Sequence, residues 1–167
     1  MDKSAILTAL EKLGEDGRSA ADWLRVHRTQ IAHCPQGRAT AAMWWLDGNI
    51  YLNPRFCSLD SAPDHPLVLS LVVHETCHLQ QGLLTALSVY GELEAWQKDF
   101  RLQCLLGRPT KHPAVLELLA LPCVRDRDVL RRARVLMQQY AGKGYRVDLL
   151  PLLPLPQELR RLLVGRV

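Results

Sequence analysis

Residues 74–78 read His-Glu-Thr-Cys-His, which places two histidines four residues apart with a glutamate directly after the first. On an α-helix, residues four apart lie on one face, so the imidazoles of His74 and His78 can point at one ion. Glu75 lies beside His74, where its carboxylate can reach a metal-bound water instead of the metal. The spacing therefore predicts a metal site with His74 and His78 as ligands and Glu75 as the general base.

A catalytic metal site of this kind needs a third protein ligand and an open position for water. The metzincin pattern would place a glycine at position 81 and a histidine at position 84, whereas this chain has Gln81 and Leu84. Cys77 could bind zinc as a thiolate, but its position favours a small core residue. The other histidines stand in no motif and are interpreted as surface or capping residues: His27, His33, His65 and His112.

The segment "YGELEAWQ" offers two glutamates as the third ligand, Glu92 and Glu94. On a helical wheel, Glu92 lies about 70° from the middle of the apolar stripe, whereas Glu94 lies about 130° away, towards solvent. We therefore predict Glu92 as the ligand. Glu94 is the alternative if the helix begins later or is distorted at Gly91. The stripe itself consists of Val89, Leu93, Trp96 and Phe100.

The metal is predicted from the ligand types. Two histidines and one carboxylate suit zinc, and they also suit iron(II). Because both histidines and the general base lie on a single helix, the arrangement favours a zinc enzyme over an iron oxygenase. We therefore expect Zn²⁺ as the cofactor.

Two apolar, aromatic-rich runs precede the motif, and Asp47-Gly48 joins them. Both turn residues tolerate positive φ, so a β-hairpin is predicted. Nearer the N-terminus, Ser19 with Asp22 three positions later resembles a capping box, which predicts a helix that continues through Ile31.

The motif lies in an apolar run with helix signals at both ends, Pro66 at the start and Gly82 at the stop. A following helix is predicted from about residue 88 to residue 106, although Gly91 near its start is unfavourable in a helix. Two more helices are predicted after it, over residues 114–121 and 128–140.

The composition is that of an ordinary globular domain, with 48% apolar and 23% charged residues in 167. We expect a single domain over residues 1–167, with a core at about residues 40–106 and a helical C-terminal extension. The fold class is α+β, predominantly helical, with a small β-hairpin or sheet. Five cysteines without a CxxC pair, no secretory leader and no membrane-length apolar run predict a cytoplasmic protein without a membrane partner.

Nucleic-acid binding is not expected. The net charge of +4 is mild, and the arginines of "RDRDVLRRARVLMQQY" alternate with an apolar helical stripe. Asp126 and Asp128 interrupt any track of positive charge along a phosphate backbone. The sequence leaves the oligomeric state open.

The pair "HETCH" and "ELEAW" resembles the short gluzincins, including ImmA/IrrE-type peptidases and HtpX-like enzymes, over roughly residues 43–106. In those proteins the ligand glutamate precedes an alanine by three positions, which corresponds to Glu92 and Ala95 here. An aspartate or asparagine often follows that alanine and contacts a zinc histidine, but this chain has Trp96. Asp99, one turn further on, is a candidate substitute. Its alternative interpretation is an exposed helix carboxylate.

The resemblance implies a minimal zincin-like core and a zinc-dependent metallopeptidase, which hydrolyses peptide bonds of a peptide or protein substrate through a metal-activated water. The segment "GNIYLN" resembles the edge strand with which such enzymes hold a peptide; alternatively, the hairpin only covers the core. The oxyanion donor stays open among Tyr90, Tyr140 and His112. A second hypothesis is a catalytically silent, metal-stabilised interaction protein with a zincin fold, which the missing carboxylate after Ala95 favours.

Overall fold

The computed structural model describes residues 2–58, 60–142 and 144–164 of the chain. Within them the helices are α1 (Lys3–Leu10), α2 (Gly14–Val26), α3 (Pro66–Gln81), α4 (Leu83–Ala86), α5 (Val89–Leu105), α6 (Pro113–Ala120), α7 (Arg127–Ala141) and α8 (Leu155–Val164). The strands are β1 (Ile31–His33), β2 (Ala42–Trp44) and β3 (Ile50–Leu52), and a 3-10 helix lies at Val147–Leu149. The predicted α+β, predominantly helical class is confirmed. No helix in the described part of the chain combines the length and the apolar character that a membrane crossing requires.

The three strands form one mixed sheet in the order β1-β3-β2. β2 and β3 are the antiparallel arms of the predicted hairpin. In its turn Gly48 has a φ of +78°, and the Asp47 carboxylate accepts a hydrogen bond from the backbone N–H of Asn49 at 2.9 Å. β1 pairs in parallel with the other side of β3 and is an addition to the predicted elements. The prediction that "GNIYLN" supplies an edge strand is therefore wrong, because β3 lies between two strands, and β1 and β2 are the edge strands.

The second helix differs from its prediction. α2 begins at Gly14 and ends at Val26, so Ser19 lies inside the helix and Ile31 lies in β1. Ser19 and Asp22 are both exposed, where they cap nothing. The helix instead follows a buried stripe with helical spacing, which consists of Gly17, Ala20, Ala21 and Leu24. Gly17 lies close to the end of α1, because a Cβ atom there would lie 2.4 Å from the carbonyl oxygen of Leu10.

The helices α3 and α5, which carry the candidate site residues, begin and end where their sequence signals predict. Pro66 is the first residue of α3, the His65 side chain caps its first turn, and Gly82 ends it with a φ of +72°. α5 begins after Ser88, whose hydroxyl accepts a hydrogen bond from the backbone N–H of Gly91 at 3.1 Å. These local signals determine where α3 begins and ends and where α5 begins.

Two clusters of buried apolar side chains hold the elements together. The first joins α1, α2, the sheet and the N-terminal part of α3, and the second joins α5, α6, α7 and the 3-10 helix. α3 packs along α5, so this helix pair links the two clusters. The motif residues lie on α3 at this junction.

Candidate metal centre

Side-chain atoms of His74, His78 and Glu92 converge between α3 and α5. The two Nε2 atoms of the histidines are 3.2 Å apart. The Glu92 carboxylate lies 3.6 Å from His78 Nε2 through Oε1 and 3.9 Å from His74 Nε2 through Oε2. One ligand atom from each residue lies within 4.8 Å of the other two. The structure therefore brings together the three residues that the sequence predicted as ligands.

This donor set fits a small divalent cation. Two ligand atoms that each lie about 2.1 Å from a tetrahedral zinc ion are about 3.4 Å from one another, close to the separations found here. Two imidazole nitrogens at 3.2 Å repel through their lone pairs unless a proton or a cation lies between them. A cation would satisfy both nitrogens and the Glu92 carboxylate at once.

The protonation of His74 favours metal binding. Burial, followed by the charge of His78, lowers the pKa of His74 well below its ordinary value. The imidazole is therefore neutral at physiological pH and keeps a nitrogen lone pair for a ligand bond.

Asp99 lies behind His74, on the side away from the Glu92 carboxylate. Its Oδ2 atom is 3.8 Å from His74 Nδ1, too far for a hydrogen bond, and this buried Nδ1 atom has no partner among the described residues. Asp99 is only 8% exposed, so its interpretation as an exposed helix carboxylate is wrong. An N–H at His74 Nδ1 would face this carboxylate, as zinc-bound histidines usually do with their outer partners.

Glu75 lies beside the cluster and is 5% exposed. Burial, followed by the negative charge of Glu92, raises its pKa well above the ordinary value, and the backbone amide of Trp44 opposes the rise. A carboxylate with a raised pKa is a stronger base near neutral pH, which suits a group that accepts a proton in a reaction.

We expect the raised pKa of Glu75 to make the metal-free protein less stable as the pH rises. Above the ordinary value of 4.5, the unfolded chain loses the Glu75 proton while the folded protein keeps it, so the unfolding free energy falls. Glu75→Gln removes this contribution. In chelator-treated protein, the stability of Glu75→Gln relative to wild type should therefore increase with pH, with a slope of at most about 1.4 kcal/mol per pH unit.

Urea unfolding over a range of pH measures this difference, and Glu117→Gln is the matched control. A hydrogen bond from Arg132 lowers the pKa of Glu117, so the relative stability of its glutamine variant should change only below pH 4.5, where it falls as the pH rises, and should stay constant above it. A difference between wild type and Glu75→Gln that stays constant with pH would contradict the raised pKa.

The cluster opens into a cleft of about 420 Å³ between β2 and the α3–α4 corner. The cleft is lined by the three residues of the cluster, by Glu75 and by Tyr145. Its other lining residues are apolar: Ala42, Met43, Trp44, Trp45, Leu46, Leu83 and Leu87. A second cavity of about 410 Å³ reaches His74 and Glu75 from another side and includes Phe56, Phe100 and Tyr140. Space is therefore available on two sides of the candidate catalytic group.

β2 presents an unpaired strand edge to the cleft. The backbone N–H of Trp45 donates to the carbonyl oxygen of Asn49 at 3.0 Å, which is a bonded pair of the hairpin. Because bonded and non-bonded pairs alternate along an antiparallel ladder, the main-chain groups of Ala42 and Trp44 point away from β3. Both residues line the cleft, so these groups can pair with another extended chain, apart from the Trp44 N–H, which faces the Glu75 carboxylate.

Tyr145, in the segment between α7 and the 3-10 helix, reaches the cluster and was not among the predicted site residues. The Trp96 indole N–H donates to the Tyr145 oxygen at 2.8 Å, and the Tyr145 hydroxyl donates to Glu92 Oε2. The indole nitrogen is only a donor, so the direction of both bonds is fixed. Burial, followed by the charge of Glu92, raises the pKa of Tyr145 well above its ordinary value and keeps the hydroxyl protonated.

The three residues proposed from the sequence as oxyanion donors lie elsewhere. Tyr90 lines a different pocket, where Arg125 lies over its ring at 5.2 Å. His112 caps the first turn of α6, as its interpretation as a capping residue predicts. Tyr140 lines the second cavity. Tyr145 lines the cleft next to the cluster. The sequence signal that relates to it is its partner Trp96, which stands where an aspartate or an asparagine was expected.

The alternative ligands Glu94 and Cys77 are turned away from the cluster. Glu94 Oε1 is 3.0 Å from the ammonium nitrogen of Lys98, and its side chain is 32% exposed. Cys77 is buried, and burial raises the pKa of its thiol to about 12, which disfavours a thiolate ligand. Geometry thus favours Glu92, although its role as a ligand stays a prediction.

No protein-family model, curated protein or solved structure matches this chain. The resemblance to the short gluzincins therefore depends on the motif residues and on the site geometry described above.

Proposed function

We propose that this protein is a zinc-dependent metallopeptidase that hydrolyses peptide bonds of protein or peptide substrates. The proposal depends above all on one observation: His74, His78 and Glu92 converge at a cleft in which the buried Glu75 lies beside them. Two histidines and a glutamate as ligands, with a second glutamate as base, form the donor set of a gluzincin.

When bound, zinc would polarise the substrate carbonyl and make a water molecule acidic enough to be deprotonated near neutral pH. Glu75 would accept the proton of the attacking water and deliver it to the leaving amine, a role that its buried position and raised pKa support. Tyr145 donates its one hydroxyl hydrogen to Glu92 Oε2, so its role in this arrangement is to orient the candidate ligand at the edge of the cleft.

The cleft suits an extended polypeptide. The free main-chain groups of β2 can hydrogen-bond to a substrate backbone irrespective of its sequence. The walls are apolar, with Trp45, Leu46, Leu83 and Leu87 each more than 40% exposed, so large apolar substrate side chains should bind there. We also propose a cytoplasmic location, because the five cysteines are free thiols.

Incubation of zinc-loaded protein with unfolded casein tests the proposed hydrolysis of peptide bonds. We expect cleavage that stops after treatment with a chelator and returns on addition of zinc. Metal analysis of the purified protein would distinguish zinc from iron(II). Absence of cleavage by protein with a full complement of zinc would instead support a catalytically silent, metal-stabilised interaction protein.

A further inference from the structure

We propose that Gln81 is a positioning residue of the metal centre, which holds His78 in the one tautomer that can bind the ion through Nε2. Gln81 is the last residue of α3 and lies three residues after His78. The inference depends on the proposed metal site and assigns a residue that is neither a ligand nor a catalytic group.

The hydrogen bonds of Gln81 fix the orientation of its amide. The amide nitrogen lies 3.0 Å from the carbonyl oxygen of Gly91 and 3.0 Å from Glu94 Oε2. A carbonyl and a carboxylate only accept hydrogen bonds, so the NH₂ group must be on this side. The amide oxygen therefore faces His78, and its distance to His78 Nδ1 is 3.2 Å.

This orientation determines the tautomer of His78. The amide oxygen of Gln81 can only accept, so His78 Nδ1 must carry the hydrogen. In a neutral imidazole the other nitrogen then has a free lone pair. That nitrogen, Nε2, faces His74 Nε2 at 3.2 Å and the Glu92 carboxylate at 3.6 Å, which is the centre of the candidate site.

Neighbouring groups hold Gln81 in place. Glu94 accepts from its amide and is itself paired with Lys98, whose ammonium nitrogen also lies 4.0 Å from a carboxylate oxygen of Asp16. The residue that sequence analysis kept as the alternative ligand therefore acts on His78 indirectly, through Gln81.

Gly91 permits this arrangement. A Cβ atom added there would lie 2.8 Å from the Gln81 amide oxygen and 2.2 Å from the carbonyl oxygen of Thr85. Any side chain at this position would displace Gln81 or the backbone of α4. The glycine that looked unfavourable inside a helix is therefore needed for the close approach between α5 and the end of α3.

Gln81→Met tests the proposal, because methionine has a similar length but no amide. We expect its zinc affinity, measured in the full chain by competition with a chromophoric chelator, to fall about 10- to 100-fold, as for other lost outer partners of zinc histidines. The control is Gln80→Met at the adjacent position, where the glutamine amide contacts Ser19 at 3.0 Å and does not reach the cluster. Equal affinities of the two variants would overturn the proposal.

The second measurement reports the tautomer directly. In metal-free protein at alkaline pH, ¹⁵N NMR should find the neutral imidazole of His78 protonated at Nδ1. Gln81→Met should lose this preference, whereas Gln80→Met should keep it. Protonation of His78 at Nε2 in the wild type would overturn the proposal even if Gln81→Met failed to fold. Failure of the wild type to bind zinc would overturn the metal site and the positioning role together, whereas zinc binding with His78 protonated at Nε2 would overturn the role of Gln81 alone.

Discussion

Replacing Glu75 with glutamine should lower kcat for casein cleavage by about 10²- to 10⁴-fold while leaving the zinc content unchanged. Glutamine has the shape of the carboxylate and can remain in the buried position beside β2, but it cannot accept the proton of an attacking water. Glu75 is not among the three converging ligand residues, so its loss should not release the ion. Initial rates of peptide release and zinc-to-protein ratios measure the two quantities.

Glu117→Gln is the control for this substitution, because it makes the same chemical change on the surface of α6. Glu117 is paired with Arg132 and does not line the cleft, so turnover should remain at the wild-type level. Loss of zinc together with activity in Glu75→Gln would indicate that Glu75 is a ligand and not a base. Full activity in Glu75→Gln would remove Glu75 from the mechanism.

The parts of the site that lie close together in sequence could be predicted from it. The spacing of His74 and His78 has a definite meaning once the segment is a helix, and Pro66 and Gly82 mark that helix locally. The hairpin turn at Asp47-Gly48 is local in the same way. These signals depend on backbone preferences within a few residues, and here the tertiary packing agrees with them.

The features that depend on tertiary packing could not be predicted. β1 is too short to have a recognisable pattern, and its parallel pairing with β3 leaves β3 without a free edge. Tyr145 lies 53 residues from Glu92 in the chain, and no motif connects the two. The α2 boundary was wrong for a related reason, since burial of the stripe from Gly17 to Leu24 outweighed a polar pattern that resembled a cap.

Trp96 occupies a position at which the resemblance to the short gluzincins implies an aspartate or an asparagine. In the short gluzincins an aspartate or asparagine often stands there and contacts a zinc histidine. Here the Trp96 indole holds Tyr145 on Glu92, and Asp99 faces the outer nitrogen of His74. Together with Gln81 beside His78, each of the three candidate ligands therefore has a polar neighbour outside the cluster. This weakens the argument for a silent site that the sequence alone allowed.

The assignment of the third ligand leads to the second large expected effect. Glu92→Ala should lower zinc affinity by more than the 10- to 100-fold typical of an outer partner, because it removes the only carboxylate in the converging set. Glu94→Ala should retain the ion, with an affinity loss within the range of an outer partner, since Glu94 contacts Gln81 and Lys98 but none of the ligands. Metal content after gel filtration, and competition with a chelator, measure the two losses. Retention of zinc by Glu92→Ala with its loss from Glu94→Ala would reverse the assignment, and α5 would then have to rotate about its axis to bring Glu94 to the histidines.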